Sequence, residues 1–158
     1  MLYLMMGLLA TLIVAADQFT KYLTVANIDL YGHVSALPGI FSLTYTQNTG
    51  AAWSSFEGMI WLFALIFAIF AAFIFWEFPK KRLGFTTFER FCLICVFAGG
   101  LGNMIDRLRL GYVVDMIRLE FMDFPVFNVA DCFITCGCIA LMVSLVLFNK
   151  EFWKEEKK

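Results

Sequence analysis

Two aspartates lie where this apolar chain tolerates charge least, and they are the side chains best placed to do chemistry. Asp115 follows the run Tyr112-Val113-Val114, and Asp131 stands at the start of the last apolar segment. A carboxylate at the edge of lipid is costly, so an ionisable residue there is by default a candidate functional site. Two carboxyls close together can share one proton, which lets one act as a base and the other as an acid. The pair therefore suggests shared-proton chemistry.

The composition is that of an integral membrane protein. Of the 158 residues, 61% are hydrophobic, and the mean hydropathy is +0.79, which is too apolar for a soluble domain of this length. A membrane-spanning helix needs about 20 mostly apolar residues. The sequence therefore predicts a mainly α membrane protein with one domain, residues 1–158. Its four transmembrane helices are expected at about Leu2–Leu23, Met59–Phe78, Phe88–Ile105 and, after Asn128, through Cys132–Asn149.

The distribution of basic residues predicts the orientation. Eight of the 12 lysines and arginines lie between helices two and three or after helix four, and only Lys21, Arg107, Arg109 and Arg118 lie on the other side. The positive-inside rule then places both termini in the cytoplasm and both aspartates at the outer face. The first apolar segment lacks a basic start and a cleavage site of small residues, so a retained helix is predicted there instead of a secretory signal.

The two outer connections, about residues 24–56 and 108–127, predict a small extracytoplasmic sheet. Phe41, Leu43 and Tyr45 alternate with polar residues, which is typical of a half-buried strand. Residues 47–50 indicate the next turn, and no element is predicted for residues 31–36. Gly111–Leu119 indicates a second strand that contains Asp115. An extended edge here could pair with an extended peptide. An interfacial aromatic belt is indicated by Trp53, Phe56 and Trp61.

Polar residues at the outer helix ends are further candidates. Asp17 and Lys21 are four apart, so they form either a local ion pair or an inward-facing tie to an outer site. Asn103 and Asp106 share a helix face, which is also expected of the solvated end of a helix. Arg107 has two alternatives, a pair with Asp106 or a contact with a substrate carbonyl.

Two structural explanations compete with function. Asn128 is a good N-cap three residues before Asp131, so the two residues have the spacing of a capping box. That role leaves Asp115 unexplained. The glycines of Ala98-Gly99-Gly100-Leu101-Gly102 permit close helix packing, which suffices to explain them taken alone.

The cysteines predict no metal centre. All five lie in apolar helices, and Cys92-x-x-Cys95 lacks the polar surroundings and additional ligands of a zinc or redox site. They are interpreted as small packing residues. We expect no metal ion, no disulfide framework and no organic cofactor.

Five motifs in order nevertheless give the chain a specific resemblance. They are Asp17-Gln18-x-x-Lys21, Asn48-x-Gly50-Ala51-Ala52, Gly99-x-x-Gly102-Asn103-x-x-Asp106-Arg107, Val113-Val114-Asp115 and Phe127-Asn128-x-Ala130-Asp131. Each motif is weak alone, but together they cover nearly the whole chain. The chain strongly resembles the lipoprotein signal peptidases, the type II signal peptidases of bacteria.

The resemblance implies a membrane aspartic endopeptidase of the bacterial cytoplasmic membrane. Such enzymes cut prolipoproteins just before a cysteine that carries a diacylglyceryl group, and globomycin-like cyclic peptides inhibit them. It also implies an outer sheet that forms a cradle beside the membrane. A monomer in contact with membrane lipids and without a nucleic-acid partner is expected. The implied catalytic pair is Asp115 and Asp131. The residues implied to shape or line the site are Asp17, Asn48, Gly99, Asn103, Arg107, Asn128 and Ala130, and the same motifs add Lys21, Gly50 and Asp106 to the predicted site.

The hypothesis for the mechanism is attack by water activated between the two aspartates. Which aspartate holds the proton is left open. Asn48, Asn103 and Asn128 could satisfy backbone groups of an unwound substrate, which are costly to leave unpaired in lipid. Two alternatives remain: a small proton-coupled transporter, whose carboxylates relay protons, and a non-catalytic membrane scaffold, which would tolerate loss of Asp115.

Overall fold

The computed structural model describes residues 1–50, 56–149 and 152. Four helices in this part of the chain are long and apolar enough to span a membrane, and three short strands accompany them. The expected fold class, mainly α with a small sheet, is therefore confirmed. In chain order the elements are α1 (Leu2–Asn27), β1 (His33–Leu37), β2 (Phe41–Asn48), α2 (Ile60–Lys80), α3 (Thr87–Leu110), β3 (Val113–Leu119) and α4 (Val129–Leu147).

Helix α3 is the centre of the bundle and contacts the other three helices. Half of its most apolar stretch is buried, against 17%, 11% and 17% for α1, α2 and α4. It begins with a capping box in which Thr86 and Glu89 exchange side-chain and backbone hydrogen bonds. It ends at Gly111, whose positive φ of 84° suits glycine. The outer three helices leave most of their apolar surface exposed, as expected for faces that contact lipid.

Glycines set how closely α3 packs. A Cβ added to Gly99 would lie 2.5 Å from the carbonyl oxygen of Ala130 in α4. A Cβ added to Gly102 would lie 2.5 Å from a carboxylate oxygen of Asp17 in α1. The predicted packing role of these glycines is thus confirmed. One close approach is to the residue before Asp131, and the other is to Asp17 itself.

The sheet is antiparallel in the order β1-β2-β3. Asp115 of β3 pairs in register with Thr46 of β2, and Ile117 forms a further bridge to Phe127 just before α4. The sheet therefore connects the residues before α4 to the strand that carries Asp115.

The predicted burial of β2 is wrong in its alternation. Ser42 and Thr44 are buried, whereas Phe41 and Leu43 are only partly buried. An irregularity in the pairing with β3 follows Leu43 and shifts the alternation, so that Thr44 and Tyr45 are both buried. The Thr44 hydroxyl donates to the carbonyl of Gly32 at 2.7 Å, which compensates for its burial.

Several predicted boundaries also need correction. Helices α1 and α3 continue to Asn27 and Leu110, so the first residues of the two segments expected to be β-rich, 24–56 and 108–127, are helical. Helix α2 continues past the predicted end at Phe78 to Lys80, so Pro79 lies in its last turn, where the N–H of Lys81 donates to the carbonyl of Glu77. Strand β1 was not predicted. Residues 47 and 48 belong to β2 instead of a turn. Trp53 of the predicted aromatic belt lies outside the described residues, while Phe56 and Trp61 are exposed.

The end of the bundle away from the two aspartates has its own core and its own buried charges. Met6, Ile74 and Leu93 belong to a buried apolar cluster shared by α1, α2 and α3. Beside it, the Arg90 guanidinium lies 3.8 Å from the Glu77 carboxylate, and both side chains are buried. This cluster holds the helices together at a distance from the candidate site.

Candidate active site

Asp115 and Asp131 line one cavity, although they come from different elements. Asp115 lies on β3 and is 2% exposed, whereas Asp131 lies in the first turn of α4 and is partly exposed. The cavity has a volume of about 770 Å³ and a mostly apolar wall. The apolar part of the wall includes Phe63, Phe67, Val96, Phe127 and Ile134. An apolar cavity with two carboxyls in its wall is typical of a binding or active site.

Asn128 connects the two carboxyls. Its side-chain oxygen accepts the N–H of Asp131 at 2.9 Å, and Asp131 Oδ2 accepts the N–H of Asn128 at 3.1 Å. The capping box expected from the spacing is confirmed. The Asn128 amide also donates to Asp115 Oδ1 at 2.6 Å. The same residue that starts α4 therefore also holds the strand carboxyl, and the structural and functional explanations are compatible.

Every oxygen of the two carboxyls accepts a hydrogen bond. Asp115 Oδ2 accepts from the Asn48 amide at 3.0 Å, in addition to the bond from Asn128 to Oδ1. Asp131 Oδ1 accepts from the Asn103 amide at 2.7 Å, in addition to the capping bond to Oδ2. Burial, and after it the nearby charge of Asp131, raises the pKa of Asp115 to about 6. A proton can therefore be retained on Asp115 in mildly acidic solution.

The three asparagines hydrogen-bond to the two aspartates in the structure without substrate. Asn48, Asn103 and Asn128 were expected to satisfy substrate backbone groups, yet each gives its amide N–H to an aspartate. The Asn48 oxygen accepts the N–H of Gly50 at 2.9 Å, which fixes the chain at that point. In this structure the asparagine amides therefore hold the two carboxyls in place.

Asp17 and Lys21 form the local ion pair and also face inward, so the structure contains both of the alternatives for them. The Lys21 ammonium contacts carboxylate oxygens of Asp17 and Asp106, each at 2.9 Å, and both pairs are almost fully buried. It also donates to Asn103 Oδ1 at 3.0 Å. Asp17 in turn accepts the N–H of Ala130 at 3.0 Å, the residue before Asp131. Helix α1 is thus tied to α3 and α4 immediately behind the candidate site.

Asp106 also joins α3 to the sheet. Its carboxylate accepts the N–H of Val114, next to Asp115, at 3.1 Å and the amide of Gln18 at 2.9 Å. Asp106 therefore ties α3 to α1 and β3. Asn103 and Asp106 are not at the solvated end of a helix, because both are buried.

Arg107 does not pair with Asp106, whose oxygens are taken by the contacts described above. Its guanidinium donates to the carbonyl of Gly50 at 2.8 Å and lies 4.3 Å from the centre of the Phe63 ring. Its Nε is buried and has no hydrogen-bond partner among the described residues. Since Arg107 lines the cavity with both aspartates, the alternative of a contact with a substrate carbonyl remains.

Two features of the site were not predicted from the sequence. Gln18 bridges α1 and α3 through Asp106 and the carbonyl of Gly102, and its place in the first motif was the available signal. Phe63 was one phenylalanine among many in α2, and nothing in the local sequence distinguishes it. Within the described ranges no group of three histidine, cysteine or acidic side chains could hold a metal ion.

Comparison with known proteins agrees with this architecture. The family model described as signal peptidase (SPase) II matches residues 9–147. A lipoprotein signal peptidase of Enterococcus faecalis is 44% identical over 146 residues, which cover 90% of this chain and 88% of that protein. One of Latilactobacillus sakei is 42% identical over 150 residues, or 95% of this chain and 97% of that protein.

A solved structure described as a bacterial membrane enzyme superposes with a TM-score of 0.84 at 32% identity, and the match covers 98% of this chain and 93% of that one. The family match covers far more than half of the sequence, and the solved structure shares the fold. The chain belongs to the signal peptidase II family.

Proposed function

We propose that this chain is a lipoprotein signal peptidase, which removes the signal peptide from diacylglyceryl-modified prolipoproteins by cutting just before the lipidated cysteine. The observation that carries the proposal is the pair Asp115 and Asp131 in the wall of one apolar cavity, in a chain of the signal peptidase II family. The transporter and scaffold alternatives do not explain the family match.

In this proposal Asp131 is the general base and Asp115 holds the shared proton. Asp131 lies in the first turn of α4, where the helix dipole and the N–H of Asn128 favour a negative charge. Asp115 is almost fully buried on a strand, and burial raises its pKa to about 6. Two adjacent carboxyls cannot both ionise cheaply, so the proton stays on the more buried one.

The reaction then proceeds without a covalent enzyme intermediate. Ionised Asp131 takes a proton from water, and the oxygen of that water bonds to the scissile carbonyl carbon. Protonated Asp115 donates its proton to the carbonyl oxygen, which gives a neutral tetrahedral diol. Asp131 next protonates the amide nitrogen, Asp115 takes a proton back from a diol hydroxyl, and the C–N bond breaks. The products are a carboxylic acid and the free amine of the lipidated cysteine.

The cavity suits a substrate that comes from lipid. Its wall carries carboxyl and amide groups at Asn48, Asn103, Asp115 and Asp131, and phenylalanines and other apolar residues form most of the rest. We infer that the apolar wall accepts the signal peptide while the diacylglyceryl chains stay in the bilayer. We infer that Arg107, which lines the cavity, donates to a substrate carbonyl.

The remaining site residues act by positioning in this proposal. Residues 1–158 form one domain, which acts as a monomer in the bacterial cytoplasmic membrane. Both termini lie in the cytoplasm and the sheet lies at the outer face, an orientation that the distribution of lysine and arginine supports. Globomycin-like cyclic peptides would compete for the same cavity. The residues proposed to shape the site without reacting are Asp17, Lys21, Asn48, Gly50, Gly99, Asn103, Asp106, Asn128 and Ala130.

A cleavage assay in detergent tests the substrate class. Purified enzyme is given one prolipoprotein in two forms, with and without diacylglyceryl on its cysteine. We expect cleavage of the lipidated form only, and an alanine at the cysteine position should also be refused. Equal cleavage of both forms would reject the lipid requirement, and no cleavage by folded enzyme would reject the proposed function.

A further inference from the structure

The Lys21 ammonium has no hydrogen-bonding capacity left for a substrate. An ammonium group has three N–H donors and no acceptor. Here the three donors meet Asp17 Oδ2 and Asp106 Oδ2, each at 2.9 Å, and Asn103 Oδ1 at 3.0 Å. The Lys21 side chain is only 4% exposed. A direct role in substrate binding or proton transfer is therefore inconsistent with its position.

The third contact is one of three hydrogen bonds that together determine which way the Asn103 amide faces. With its oxygen toward Lys21, Asn103 accepts from the ammonium and from the Asn128 amide, and its own N–H donates to Asp131 Oδ1 at 2.7 Å. In the flipped orientation, the amide N–H would face both of those donors, and the oxygen would face the Asp131 carboxylate. All three hydrogen bonds would be lost and replaced by contacts between like groups.

Asn128 is held by the same arrangement. Its oxygen is fixed by the N–H of Asp131, so its N–H groups point toward Asn103 and Asp115. A chain of oriented amides thus runs from the ammonium of α1 to both carboxyls, which belong to α4 and β3. The Lys21 ammonium at one end and the backbone N–H of Asp131 at the other can only donate, so both ends fix the direction of these hydrogen bonds.

We propose that Lys21 is a positioning residue for the cleavage reaction: together with the Asn128 amide, its ammonium holds the Asn103 oxygen and so keeps the Asn103 N–H on Asp131 Oδ1. The inference deepens the proposed function and rests on it. Without Lys21, Asn103 Oδ1 keeps only the Asn128 amide as a donor, so the Asn103 amide is held less firmly and its hydrogen bond to Asp131 Oδ1 weakens. The reacting carboxyls then lose their fixed geometry while the cavity that binds the substrate is unchanged, because Lys21 lies behind its wall.

The charged groups around the pair come from two further elements. Asp17 and Lys21 lie on α1, and Asp106 and Arg107 lie on α3, beside Asp115 on β3 and Asp131 on α4. Among the interactions on Asp115, the charge of Lys21 favours the ionised form. Removing that charge should therefore move the pH at which Asp115 ionises upward.

The test is a double-mutant cycle with Lys21→Met and Asn103→Ala. In Lys21→Met, kcat should fall on the order of 10- to 100-fold, because misplaced reacting groups cost this much, while KM changes by less than about threefold. The double variant should be no slower than Asn103→Ala, since Lys21 acts through that residue. Additive losses in the double variant would overturn the proposal, and so would a Lys21→Met enzyme with normal kcat.

Because Lys21→Met leaves two buried carboxylates without their cation, a second variant protects the test against misfolding. Asp17→Asn/Lys21→Met/Asp106→Asn removes the whole charged cluster, and such neutral replacements often fold well. It should bind a lipidated substrate and still show the loss in kcat. A matched control is Arg90→Met, since Arg90 is another buried cation but lies at the other end of the bundle. It should lower the melting temperature without lowering kcat.

Infrared titration of the Asp115 carboxylic acid gives a readout that needs no turnover. The band is assigned with Asp115→Asn, and its midpoint should rise in Lys21→Met and stay unchanged in Arg90→Met. An unchanged midpoint in Lys21→Met would overturn the connection between Lys21 and the pair. An inactive wild type with the expected shift would instead reject the proposed function and keep the positioning role.

Discussion

Gly99→Ala tests whether the packing of α3 against α4 sets the position of Asp131. The added Cβ would lie 2.5 Å from the carbonyl oxygen of Ala130 and 2.8 Å from a side-chain carbon of Ile134, whereas ordinary contacts begin at 3.4 Å. The closer neighbour is backbone, so it cannot rotate away, and α4 must move by about 0.9 Å to reach an ordinary distance. Asp131 is the next residue and moves with it.

We expect two consequences of this movement. Overpacking costs about 1–3 kcal/mol of stability, and a displacement of about 1 Å in a reacting group costs on the order of 100-fold in rate. The assay is kcat for the lipidated substrate together with the melting temperature in detergent. The control is Gly7→Ala, which makes the same change within a helix but places its Cβ in open space. A Gly99→Ala enzyme with kcat within about twofold of wild type would refute the reasoning.

Three other expectations follow from the contacts of Asp115, Asn128 and Arg107 in the site. First, kcat/KM should fall above about pH 6, because the pKa of Asp115 is raised to about 6 and the reaction needs its proton. Because the folded protein binds this proton more tightly than the unfolded chain, the free energy of unfolding should be highest below the ordinary pKa of 3.8 and should fall on the order of 3 kcal/mol as pH rises through about 6. Asp115→Asn should abolish this fall. A kcat/KM profile that stays flat to pH 9 would contradict the need for the proton on Asp115. Second, Asn128→Ala should lose about 1 kcal/mol of stability through its cap and also lose on the order of 100-fold in kcat. Thr86→Ala, which removes the equivalent cap of α3, should lose only the stability, and equal kcat in both variants would disprove the role of Asn128. Third, Arg107→Lys should lower kcat/KM on the order of 10-fold, because lysine cannot both reach the Gly50 carbonyl and stack on Phe63. Arg109→Lys, at an exposed neighbour, should have no effect, and a similar loss in both would argue against this contact.

Local sequence is most informative where composition or a short spacing determines the structure. Long apolar runs were enough to predict the four helices, and the Asn128–Asp131 spacing predicted the cap that the structure contains. Asp115 and Asp131 could be singled out because charge is rare in such a chain. These inferences need only composition and short spacings.

The remaining features depend on contacts between distant parts of the chain. Nothing near Lys21 shows that its ammonium meets Asp106, and nothing near Arg107 shows that it stacks on Phe63. Strand β1 was missed because all five of its residues are exposed, so no apolar alternation marks it. The burial of β2 could not be predicted because it depends on an irregularity in pairing with β3.

The most direct test of the central claim is the single-turnover rate of cleavage of the lipidated substrate by Asp115→Asn, Asp131→Asn and Asp123→Asn. Asp123 is an exposed carboxylate in the same outer connection and serves as the control. We expect the first two variants to insert and fold but to cleave about 10²–10⁴-fold more slowly or not at all, and the control to cleave at the wild-type rate. A folded Asp115→Asn or Asp131→Asn enzyme that cleaves at the wild-type rate would contradict the account.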